Sequence, residues 1–114
     1  MKPVHPGRLL RRELQARDLS ANALALALRV NSGRITDILN GTRGVSPETA
    51  MRLARYFGNS ARFWLNLQTA YELAVAEREI GARIREEIKP APAPASLRRA
   101  SAPPPLPLSR ERVG

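Results

Sequence analysis

The sequence predicts an all-α domain of five helices that carries a helix-turn-helix and ends in a disordered, Pro/Arg-rich C-terminal tail. Three observations carry that prediction. The chain has 114 residues, 43% apolar but only 4% aromatic, which suits a small helical core and argues against a β-sandwich. Apolar residues recur at helical spacing in five segments, most of them opened by an N-cap residue or proline and several closed by glycine or asparagine. At Pro90 this periodicity stops and "PAPAPASLRRASAPPPLPLSRERVG" begins, a stretch with little to bury and a polyproline II bias. The division expected is a domain over residues 1–89, with an extended last helix, and a tail over 90–114.

Each helix is justified by its punctuation and its stripe. Pro6 suits the first helical position, where its missing N–H costs nothing, and Leu9, Leu10 and Leu14 give helix 1 one apolar face over about residues 6–17. Ser20 caps helix 2, whose Leu24, Ala25 and Leu28 share a face. Asn31 caps helix 3, which keeps a thin stripe of Ile35, Ile38 and Leu39 and stops at Asn40-Gly41. Ser46-Pro47-Glu48 opens helix 4 with a cap, a proline and an acid at the positive end of the dipole. Ser60 caps helix 5, with Phe63, Trp64, Leu67, Tyr71 and Ala74 or Val75 as its inner stripe. Ile80, Ile84 and Ile88 continue it past Gly81, too far for a core of this size to cover, so that end projects or pairs with a partner.

Charge is asymmetric. The formal net charge is +9. Residues 1–62 hold eleven Lys/Arg against four Asp/Glu, a balance of +7, while 63–89 carry −1 and 90–114 carry +3. A basic excess concentrated on the folded part favours a polyanion, most simply nucleic acid. The absence of cysteine excludes disulfides and thiolate chemistry, and one histidine, His5, does not make a metal site. No phosphate-cradling glycine loop or nucleophile–base pair is present, so neither an enzyme nor a cofactor is expected. His5 reads as an N-cap or surface residue. The N-terminal segment is neither a signal peptide nor a membrane span, which makes a cytoplasmic protein the expectation.

Helices 2 and 3, joined by the short turn Arg29-Val30-Asn31, have the pattern of a DNA-binding helix-turn-helix. Ala25 is small enough to let helix 3 cross closely. With Ile35, Ile38 and Leu39 turned inward, Ser32, Gly33, Arg34, Thr36 and Asp37 form the candidate base-reading face. Ser20 and Asn22 at the start of helix 2, Arg29 and Asn31 at the turn, and Asn40, Thr42 and Arg43 beyond helix 3 are candidates for the DNA backbone. Asp37 is repelled by phosphate, and pairing with Arg34 three residues before it is the role expected of it.

The strings "HPG" (His5–Gly7), "LS" (Leu19–Ser20), "RIxxIxNG" (Arg34–Gly41), "TAxRLARYFG" (Thr49–Gly58) and "FWLNLQ" (Phe63–Gln68) resemble the HigA/VapI group of helix-turn-helix antitoxins. The resemblance covers about residues 5–73. It implies a five-helix, lambda repressor-like fold of the XRE type and usually a homodimer. It further implies binding to the operator of its own operon and neutralisation of a co-encoded RelE-like ribonuclease toxin of the HigB type. The group's reader positions fall on Ser32, Gly33, Arg34, Thr36 and Asp37. One departure stands out: Arg29 occupies a turn position that is commonly glycine in this motif. A stand-alone transcriptional regulator without a toxin and a helical adaptor with no DNA binding are the alternatives.

Overall fold

The computed structural model describes residues 3–95. It divides into two units, Met1–Arg83 and Ile84–Gly114. The expected disordered tail falls mostly on 96–114, outside the described residues, and 90–94 carry no regular structure. The described elements are α1 (Pro6–Ala16), α2 (Ala21–Leu28), α3 (Ser32–Leu39), α4 (Pro47–Phe57) and α5 (Ala61–Ala76), then a π-helical turn over Glu77–Gly81 and a short α6 (Ala82–Glu87). Among the described residues the fold is all-α: α1–α5 are the five expected helices, followed in sequence by the π-helical turn and the short α6. None of the described helices is long and apolar enough to cross a membrane.

Local chemistry sets the boundaries. The side chains of Ser20, Asn31, Ser46 and Ser60 accept hydrogen bonds from the backbone N–H groups of Ala23, Gly33, Thr49 and Phe63, each satisfying one orphan donor of a first turn. Gly58 closes α4 in the left-handed conformation, at φ 78°.

The helices enclose one core of Leu10, Leu14, Leu24, Ala25, Leu28, Ile35, Ile38, Val45, Ala50, Leu53, Ala54 and Trp64. Trp64 is its largest member, fully buried, with its indole N–H donating to Asn59 Oδ1 at 2.8 Å. Burying a side chain of this class stabilises by about 1.5–3 kcal/mol. Around the core, α2 packs on α3 and α4, α4 on α5, and α1 on α3 and α5.

The stripe of α5 differs from the expectation. Phe63 is 40% exposed, with its ring edge-on to Trp64 at 5.3 Å. The buried line runs instead through Trp64 and Gln68, because a fully inserted Trp64 turns its neighbour out by one helical step of about 100°. Leu73, Ile80, Ile84 and Ile88 are exposed at 61%, 37%, 43% and 64%.

The start of α1 lies close against the end of α3. A Cβ on Gly7 would collide with the Ile38 carbonyl, so only glycine lets the start of α1 rest on the end of α3. In an open helix, Gly→Ala stabilises by roughly 0.5–1 kcal/mol. Here Gly7→Ala is expected to destabilise by about 1–3 kcal/mol, read as a lowered urea midpoint at unchanged m-value.

Candidate nucleic-acid interface

The interface is built from two short helices and the backbone between them. α2 ends when Arg29 enters the left-handed region, φ 62° and ψ 43°, and its N–H closes on the Leu26 carbonyl at 3.2 Å. The turn is therefore made without the glycine, at a cost of roughly 1 kcal/mol. Val30 N–H then bonds the Ala25 carbonyl at 3.0 Å, and the Asn31 side chain accepts from Gly33 N–H at 2.6 Å to start α3.

Ile35 and Ile38 are fully buried, which turns the opposite side of α3 outward. Ser32, Gly33, Thr36 and Asn40 are exposed together on that side. The side chains of Ser32, Thr36 and Asn40 make no hydrogen bond among the described residues, so their polar atoms face solvent. At the flanks, Asn22, Arg29, Thr42 and Arg43 are also exposed. Ser20 and Asn31 use their side-chain oxygens as cap acceptors, which leaves the Ser20 hydroxyl hydrogen and the Asn31 amide N–H groups as donors for an anion.

Two candidate readers are placed differently from expectation. Arg34 does not pair with Asp37. Its guanidinium turns to the start of α4, with Nη1 3.4 Å from Thr49 Oγ1 and 3.7 Å from Glu48 Oε1. Asp37 instead lies 3.8 Å from Arg43 Nε. Its carbonyl accepts from Thr42 N–H at 2.9 Å, Arg43 N–H at 3.2 Å and the Thr42 hydroxyl at 3.2 Å, folding the loop back so that Arg43 arrives beside the carboxylate. The acid on the outer side of α3 thus faces a cation carried by the next loop.

Sequence reasoning missed the supports behind this face. Gln68, 8% exposed, accepts from Val45 N–H at 2.8 Å and donates to Glu72 at 2.9 Å. It holds the α3–α4 loop onto α5, and a Cβ on Gly44 would crowd it, at 2.8 Å from the amide. The one available signal was an amide at the end of the apolar string "FWLNLQ". His5 is the N-cap of α1, as expected, and its contacts with two other elements, which the sequence does not show, make it a second support. Its Nδ1 accepts from Gly7 N–H at 2.9 Å, its ring meets Tyr71 edge-on at 4.8 Å, and the Arg43 backbone lies beside it. One imidazole thereby ties α1, the α3–α4 loop and α5 together.

Burial pushes the His5 pKa below its ordinary 6.5, opposed by the adjacent Arg43 backbone. A depressed histidine pKa means the unfolded chain binds the proton more readily. The contribution of His5 is therefore complete above 6.5 and is lost as pH falls through the folded-state value. Urea midpoints should fall on acidification below 6.5, and His5→Gln should flatten that part of the profile. Gln68→Met, which leaves Val45 N–H without its acceptor, should cost about 1–3 kcal/mol in the same assay.

Comparison with known proteins places this geometry. The helix-turn-helix family model HTH_3 matches residues 10–64. Virulence-associated protein I of Dichelobacter nodosus is 51% identical over 80 residues, covering 69% of this chain and 74% of that protein. The structure of a HigA-family addiction module antidote protein from Coxiella burnetii matches with a TM-score of 0.79 at 46% identity, over 80% of this chain and 100% of that one. Pseudomonas aeruginosa antitoxin HigA, solved with the higBA promoter, matches with a TM-score of 0.77 at 48% identity, over 78% and 98% of the two chains. With α2 and α3 disposed as a helix-turn-helix and these relatives matching across the whole core, the chain belongs to the HigA/VapI family of helix-turn-helix antitoxins.

Proposed function

We propose that this protein is an operator-binding antitoxin. It represses its own operon as a homodimer and neutralises a co-encoded RelE-like toxin of the HigB type. The observation that carries the DNA reading is the outer face of α3: Ser32, Gly33, Thr36 and Asn40 are exposed side by side, and the three polar side chains have no structural partner. In the major groove, Ser32 and Thr36 meet base edges, and Gly33 allows close backbone approach. The first-turn N–H groups of α2 and the exposed Asn22, Arg29, Asn40, Thr42 and Arg43 set the register on the phosphates. Asp37, balanced by Arg43, accepts from a cytosine amino group at the rim of the same face. A two-fold dimer presents its two α3 helices about 34 Å apart, one turn of DNA. The toxin half of the reading is supported by family membership and by the relative solved as an antitoxin on its promoter.

Fluorescence anisotropy on the DNA upstream of the gene tests the first half. Full-length protein should prefer that DNA to a scrambled duplex of equal length. The double substitution Ser32→Ala/Thr36→Ala should cost about 1–3 kcal/mol of that preference while non-specific affinity and its salt dependence stay unchanged. Equal affinity for both duplexes overturns the operator reading. Co-expression with the neighbouring gene product tests the second half: a stable complex and rescued growth are expected, and operator binding without them leaves a stand-alone regulator.

A further inference from the structure

We propose that Glu48 on α4 is a positioning residue for operator recognition, bracing the reading helix without touching DNA; the inference rests on the operator-binding reading above. Leu28 is the last residue of α2, and its carbonyl is one of the acceptors a helix end leaves open. Arg52 Nη1 fills it at 2.8 Å. The same guanidinium donates through Nε and Nη2 to Glu48 Oε2 at 3.1 and 2.9 Å. The other Glu48 oxygen lies 3.7 Å from Arg34 Nη1 on α3. That Nη1 also reaches Thr49 Oγ1 at 3.4 Å, and Thr49 is 2% exposed and takes the Ser46 hydroxyl at 3.1 Å. The end of α2 and the first turn of α3 are thus fastened to one carboxylate on α4, on both sides of the helix-turn-helix corner.

No single link is strong, since an exposed ion pair contributes only about 0–1 kcal/mol to stability. The effect lies in placement, because polar readout tolerates displacements of only about 0.5 Å. Arg34, held this way, orients the helix rather than reading a base. The sign of one substitution separates this from simple electrostatics. Glu48 is a 60% exposed negative charge, so Coulomb's law alone says that its removal tightens binding to DNA. The brace says that its removal weakens binding to the operator.

The test measures full-length wild type, Glu48→Gln, Glu48→Asp, Arg34→Gln and the Glu48→Gln/Arg34→Gln pair. Each is titrated at one salt concentration against the upstream operator, single-base-pair variants of it, and non-specific DNA. Glu48→Gln should bind the operator about five- to tenfold more weakly, with the ranking of base-pair variants unchanged and non-specific affinity not reduced. Glu48→Asp keeps the charge and loses the reach, and should weaken operator binding too. The pair should lose less than the two single losses added together, because the Arg34 link is shared while the Arg52 link to Leu28 is not; a loss equal to their full sum overturns the proposal. Thermal midpoints within about 4 °C of wild type show intact folding. Tighter operator binding by Glu48→Gln, or a loss in Arg34→Gln confined to one base pair, overturns the proposal. Amide exchange in the free protein gives a readout independent of DNA: it should quicken across α3 in Glu48→Gln and stay unchanged in α1. If wild type shows no operator preference, the operator reading fails by itself, and unchanged exchange in α3 overturns the brace.

Discussion

An eight-residue helix cannot hold itself together in water, and α3 is eight residues long. Isolated helices shorter than about 12–15 residues are marginal even with favourable composition. Everything that makes the proposed reading face usable follows from how the neighbours compensate. Ile35 and Ile38 are sealed into the core, which fixes the rotation of α3 about its axis. Gly7 lets α1 rest against the Ile38 carbonyl, and Arg11 donates to the Leu39 carbonyl at 3.3 Å, which holds its C-terminal end. Asn31 and the Arg34–Thr49 contact hold its N-terminal end. A helix secured at both ends and along one side can leave its remaining side to solvent.

Electrostatics follow from the same arrangement. The basic excess over residues 1–62 is not a uniform coat. Some cations are consumed internally: Arg52 spans Leu28 and Glu48, Arg17 pairs with Glu13, and Arg34 faces Glu48. Arg43 is shared, with one edge toward Asp37 and half of its side chain exposed. Screening by salt weakens the exposed pairs more than the buried contacts, so the architecture rests on packing and caps, and the charges set orientation.

The fold was legible because its signals are local. Ser20, Asn31, Ser46 and Ser60 cap through bonds spanning two or three residues, and Pro6 and Pro47 act within one turn, so residue type and spacing are enough to find them. The site was legible only on one side. The outward placement of Ser32, Gly33 and Thr36 follows from the inward Ile35 and Ile38. The partners of Arg34 and Asp37 do not follow, because which acid meets which base depends on how α4 and the loop are rotated against α3. The sequence offered an i,i+3 pair, and the fold chose partners fourteen and six residues away, Glu48 and Arg43. Phe63 failed for a related reason: adjacent aromatics both fit the stripe, and only three-dimensional packing decides that Trp64 is the one inserted. Gln68 was hidden by its surroundings, an amide whose two ends find partners on separate elements.

The idle side chains of Ser32, Thr36 and Asn40 have an evolutionary consequence. With no internal bond to break, substitutions there should change stability by less than about 0.5 kcal/mol, whereas the buried isoleucines one step around the helix are held by packing. The two faces of α3 therefore tolerate substitution differently. On the proposed operator reading, copies of such a gene diverge in what they recognise while sharing an unchanged scaffold, by exchanging Ser32 and Thr36 alone.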